Sequence, residues 1–164
     1  MNLDRFPLGD PDLGIFPGSR KYPFYLKRDF VYLWPGYGHW KPMAVCVPQG
    51  YETDLLSIPK PLWPILSPFG AGCWGALPHD VLYGTEFSFP GQSKQDARAM
   101  MDRILYDAAL DSGASKLRAR IIYAGVRVGG GATWKDHDPE EVSDDLQMMV
   151  EAVERWERKY VVTD

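Results

Sequence analysis

The distribution of proline divides this chain before any other feature is read. Twelve of its 14 prolines precede Pro90. Proline lacks a backbone N–H and fixes φ, so a proline every few residues forbids long helices. Strands, turns and irregular backbone must fill the first half, and long helices are confined to the second. Residues 24–34, "FYLKRDFVYLW", are rich in aromatic and β-branched types and predict strand on both sides of a turn at Lys27-Arg28-Asp29. Residues 43–48, "MAVCVP", predict a second short strand beyond the turn "WPGYG". Residues 1–20 lack periodicity and read as an extended arm.

From Ser93 onward the pattern is helical. Ser93 is a candidate N-cap and Gly113 a stop, which predicts a helix over 94–112. Its apolar face is Ala97, Met100, Met101, Ile104, Leu105 and Ala108. Ser115 opens a second helix over 115–128, which the run Gly129-Gly130-Gly131 is expected to end. Asp138-Pro139-Glu140-Glu141 is a start signal for a third over 139–160: cap, proline in the first turn, acids against the dipole. The chain thus reads as one α+β domain, 1–164, with a small N-terminal antiparallel sheet on three to four C-terminal helices. Its parts are an arm (1–20), a strand and turn region (21–67) and a helical region (68–164).

Charge and cysteine content narrow the function classes. With 18 basic residues against 22 acidic ones the formal net charge is -4, which argues against a broad nucleic-acid footprint. A local basic patch, "KLRAR", lies at 116–120. Two cysteines, Cys46 and Cys73, cannot form a disulfide scaffold; they make one bridge or remain two buried thiols. The N-terminal residues lack the charged-then-apolar order of a signal peptide. No segment approaches the roughly 18 apolar residues of a membrane span. The expectation is a protein made in a cytoplasm.

The chemistry-bearing stretch is "ALPHDVLY", 76–83. On a helix His79 and Tyr83 share a face at i, i+4, and Asp80 points about 100° away. On that geometry the tips of His79 and Asp80 should not bond each other; they would flank one centre. Imidazole would serve as general base and Asp80 as ligand to a hard cation, the division of labour of calcium-assisted ester hydrolysis. A carboxylate must then orient the imidazole from behind. Asp96, in the first turn of the next helix, is the candidate, with Tyr83 bonded to it. Pro78 requires the helix either to begin there or to be kinked there.

"HDVLY", a short connection and an Asp near the start of an antiparallel helix resemble the His-Asp-x-x-Tyr…Asp helix pair of secreted phospholipases. The disulfide-free form in parvovirus capsid proteins is closer, since it too has a Gly-rich loop before the helix. This resemblance implies His79 as base, Asp80 as calcium ligand, Tyr83 with Asp96 as support, and a calcium shell completed by carbonyls of "PFGAG", Gly70 and Gly72 among them. A second resemblance covers more of the chain, from about Val47 to Trp134. "TDLLSIP", "HDVLY", "QDARAMM" and "AGVRVGGGATW" are similar in order and spacing to an uncharacterised phage and prophage family, a domain of unknown function. It implies a phage or prophage origin and adds Thr53, Asp54 and Ser57 to the motif residues.

Structural explanations stand beside these. Ser93-x-x-Asp96 is also a capping-box pattern. Thr53, Asp54 and Ser57 also fit an Asx or ST turn, and His79 with Asp80 also fits a buried polar network. Two readings therefore stay open. One is a calcium-dependent lipolytic hydrolase whose partner is phospholipid and whose mouth is rimmed by Trp63, Phe69 and Trp74. The other is a non-enzymatic virion, tail or accessory protein whose partners are other phage structural proteins.

Overall fold

A computed structural model describes residues 2, 4–18, 21–55, 71–133 and 139–160, with the side chains of 130–133, 139–143, 145 and 160 excepted. Ser57, Trp63, Phe69 and Gly70 lie outside the described residues. The architecture is α+β, as the proline distribution requires: among the described residues, five short strands precede four α-helices. The strands are β1 (Leu13–Ile15), β2 (Phe24–Leu26), β3 (Phe30–Trp34), β4 (Met43–Val47) and β5 (Glu52–Thr53). The helices are α1 (Ala76–Gly84), α2 (Lys94–Asp111), α3 (Lys116–Thr133) and α4 (Pro139–Tyr160).

The strands form two antiparallel sheets, ordered β1-β2-β5 and β3-β4. The turn at Lys27-Arg28-Asp29 therefore does not join a hairpin: it passes the chain from one sheet to the other. The β3–β4 hairpin, in register from Phe30 opposite Val47 to Trp34 opposite Met43, lies between helices. Strand alternation sends Phe30, Tyr32, Trp34, Val45 and Val47 into the main core with α1 and α2. Val31 and Cys46 point the other way, against Ala152, Val153 and Trp156 of α4. Burial on both faces explains why β3 is nearly all apolar. Polar tips fix the hairpin to α2: the Tyr32 hydroxyl donates to Asp111 at 2.9 Å and Trp34 Nε1 to Asp107 at 3.0 Å. A two-pronged ion pair from Arg155 to Asp29, both contacts 2.9 Å, ties α4 to the turn.

The N-terminal arm is more than a wrap. It supplies β1, and Phe6 is fully buried against Phe30 and Tyr32, with ring centroids 5.5 and 5.0 Å away. Burying such a ring contributes roughly 1.5–3 kcal/mol. Cys46 and Cys73 are both free and buried.

Two expectations are corrected. Helix α1 does not start at Pro78: it starts at Ala76, after a 3-10 turn at Cys73–Gly75. Pro78 thus sits in the first turn, where a backbone N–H has no intrahelical partner to lose. Helix α3 does not stop at its glycine run but continues to Thr133. Glycine costs a helix only about 1 kcal/mol per residue and, unlike proline, forbids nothing.

Candidate functional site

Helices α1 and α2 pack antiparallel. Gly75 makes the close approach possible, since a Cβ there would stand 2.6 Å from the Ala109 backbone nitrogen. From that contact the register runs His79 opposite Asp102 and Tyr83 opposite Arg98. The carboxylate behind His79 is therefore Asp102, not Asp96. His79 Nε2 lies 3.3 Å from Asp102 Oδ1, to which the Tyr83 hydroxyl donates at 2.9 Å. Arg127 of α3 donates to Asp102 Oδ2 at 3.0 Å, and Arg98 donates to the Tyr83 oxygen at 2.9 Å. Arg98 also donates to the Val126 and Arg127 carbonyls, at 3.1 and 2.9 Å. Three helices thus converge on one carboxylate that is wholly shielded from solvent.

Asp96 sits elsewhere because it precedes Asp102 by six residues, roughly 9 Å along α2 and about 120° round it. Its backbone N–H is capped by Ser93, as the capping pattern predicts. Its carboxylate accepts from Gln92 and Trp40 and meets His39, at 2.8, 3.2 and 3.2 Å. The expected quartet of His79, Tyr83, Asp96 and Asp54 is therefore not assembled: His79 and Tyr83 meet, ring centroids 4.3 Å apart, and Asp54 acts on Asp80.

Asp80 also departs from expectation. Its Oδ1 is 3.4 Å from His79 Nδ1, so adjacent side chains do reach each other, at the long edge of hydrogen bonding. Its other oxygen accepts from Thr53 Oγ1 at 3.3 Å. Thr53 is aimed there by a turn of the predicted ST kind, its hydroxyl accepting from the Leu55 N–H at 2.8 Å. Leu55 adopts a φ of 62°, a left-handed conformation unusual for leucine. The Asp80 side chain keeps 30% of its surface exposed, against 9% for His79.

The electrostatics follow from this placement. Burial pulls the His79 pKa down, but the bonds to Asp102 and Asp80 outweigh it and hold it above the ordinary histidine value. Burial would raise Asp102; hydrogen bonds with His79, Arg127 and Tyr83 keep it below the usual carboxylate range. Burial raises Asp80 above that range, reinforced by the Asp54 charge and opposed by His79. Burial and Asp102 push the Tyr83 hydroxyl up to about 12. A neutral imidazole has one N–H, whereas both nitrogens here face carboxylate oxygens, so the cation satisfies the resting site best.

Of the expected calcium shell, Asp80 and Gly72 are described and Gly70 is not. Both Asp80 oxygens have protein partners, and the Gly72 carbonyl accepts from the Gly75 N–H at 3.2 Å. Gly72 packs against Ala109 and Ala114, with Ala109 about 10 Å along α2 from Asp102. Among the described residues no three His, Cys, Asp or Glu side chains group to hold a metal ion.

Asp102, Arg98 and Arg127 escaped the sequence reading. A signal existed for Asp102: it shares a helix face with Leu105 and Ala109, both buried. Arg98 and Arg127 lie within the stretches "QDARAMM" and "AGVRVGGGATW". A family model described as "Protein of unknown function (DUF1353)" matches residues 26–126, more than half of the chain. The chain belongs to the DUF1353 family. The match starts before the Val47 expected from the motifs, at Leu26 in β2, and it ends at Val126 rather than Trp134. It takes in the last residue of β2, then β3 to β5, α1, α2 and most of α3, and so contains His79, Asp80, Tyr83, Arg98 and Asp102. No curated protein and no solved structure matches the chain.

Proposed function

We propose that this DUF1353 protein is a phage- or prophage-derived, phospholipase-like hydrolase with His79 as its general base. The observation that carries the reading is the asymmetry of the imidazole. Nε2 is anchored on the buried Asp102 carboxylate, braced by Tyr83 and Arg127, while Nδ1 faces the partly exposed Asp80. A base needs this pairing: one nitrogen fixed by a carboxylate, the other turned toward substrate. The His-Asp-x-x-Tyr resemblance supports the same roles, with Asp102 taking the part expected of Asp96.

In the reaction the resting imidazolium first loses its Nδ1 proton to solvent, which releases the 3.4 Å contact with Asp80, and Thr53 holds the other Asp80 oxygen. Neutral Nδ1 then takes a proton from water as the water oxygen attacks the ester carbonyl carbon. Asp102 stabilises the resulting imidazolium. Collapse of the tetrahedral adduct breaks the bond to the alcohol oxygen, which leaves with the proton from Nδ1. No step is assigned to calcium.

A second reading is favoured by one observation: both ring nitrogens are already partnered. In that case the cluster clamps α1, α2 and α3 together in a non-enzymatic virion or accessory protein. Fatty-acid release from phospholipid vesicles separates the two. Parent protein should release fatty acid and His79→Asn should not, with unfolding followed with and without calcium as a check on the cation. A parent that hydrolyses no phospholipid sinks the enzyme reading and leaves the clamp.

A further inference from the structure

Helix α3 is chemically unlike the rest of the chain. It carries Lys116, Arg118, Arg120 and Arg127 and no acidic residue, in a protein whose net charge is -4. Its inner face packs through Ala119 and Ile122, with Val126 partly buried beside them. Directly opposite, Leu117, Ile121, Ala124 and Val128 recur at i, i+4, i+7 and i+11 and make one outward apolar stripe. The stripe is well exposed, with Leu117 at 69% and Val128 at 89%. Lys116 and Arg120, both exposed, run along one flank; Arg127 lies on that flank too but is bonded to Asp102, and Arg118, on the other, donates to the Ala71 carbonyl at 2.7 Å.

We infer that α3 docks this protein on an anionic lipid surface, independently of whether the His79 site is hydrolytic. An apolar stripe beside a basic flank suits the boundary of a bilayer: aliphatic tips enter the acyl region while Lys116 and Arg120 reach the headgroup phosphates. The charge argues against the other obvious occupant, a second copy of this chain. Apposing two α3 helices would set basic flank against basic flank with no acid on either. A nucleic acid would use the charge and leave the apolar stripe unpaired. No described helix is long and apolar enough to cross a membrane, so α3 would lie on the surface.

The test is flotation of the full chain with vesicles of ether-linked phosphatidylglycerol and phosphatidylcholine, which no esterase can cleave. The protein should float with vesicles rich in phosphatidylglycerol and not with pure phosphatidylcholine, and binding should weaken as salt rises. Leu117→Ser with Val128→Ser should cut binding about tenfold or more, and Lys116→Glu with Arg120→Glu should do the same. All four positions are exposed, so circular dichroism should match the parent. Failure to float with anionic vesicles overturns the inference. So does binding indifferent to the Leu117 and Val128 changes, or a dimer in sedimentation that those changes dissolve.

Discussion

Two histidine–aspartate pairs in this protein have almost the same geometry and opposite surroundings. His79 Nε2 stands 3.3 Å from Asp102, and His39 Nε2 stands 3.2 Å from Asp96. The His79 side chain is 9% exposed and its partner wholly buried, whereas His39 is 71% exposed and Asp96 about a third. Distance alone would rank the pairs as equals. Burial separates them: at Asp102 water is excluded, so the charge must be met by His79, Tyr83 and Arg127, and losing one partner is costly. At Asp96 solvent screens the pair and can replace a lost contact.

The largest effect that would break this contrast is on Asp102. Asp102→Asn should destabilise the fold by roughly 3–5 kcal/mol in denaturant unfolding, because it leaves the buried His79 cation uncompensated. Asp96→Asn should unfold at nearly the parent midpoint. Equal losses at the two sites would mean that burial does not distinguish them.

His79→Asn should come next, costing about 1–3 kcal/mol through an unpaired buried carboxylate. It should also lower phospholipid hydrolysis by about two to four orders of magnitude if His79 is the base. His39→Asn should leave hydrolysis at the parent level.

A pH series sharpens the comparison further. The folded pKa of His79 is raised above its ordinary 6.5. Its stabilisation is therefore complete below that value and fades as pH rises through the higher folded value. The stability gap between parent and His79→Asn should accordingly shrink on the alkaline side, while hydrolysis, which needs the neutral base, should rise there. A gap that widens with pH would reverse the assignment of charge at His79.

The smallest effect concerns Asp80. Asp80→Asn removes one of the two carboxylates that hold the imidazole charged, so the His79 NMR titration should move down toward 6.5. Asp96→Asn should leave that titration unchanged.

What the sequence by itself determined is whatever depends on near neighbours along the chain. Proline placement separated strands from helices, Ser93 capped α2, and the i, i+4 spacing put His79 beside Tyr83. The ST turn at Thr53 was local in the same sense. Tertiary structure decided what lies across from what. Which α2 carboxylate faces His79 depends on the register of two antiparallel helices, set by the approach of Gly75 to Ala109 and not by any motif near Asp96. Arg127 joins the site only because α3 crosses behind α2, and Phe6 becomes core only because the arm returns over β3. Local spacing constrains torsion angles and faces; partners distant in sequence are chosen by the burial of whole elements, which no single stretch encodes.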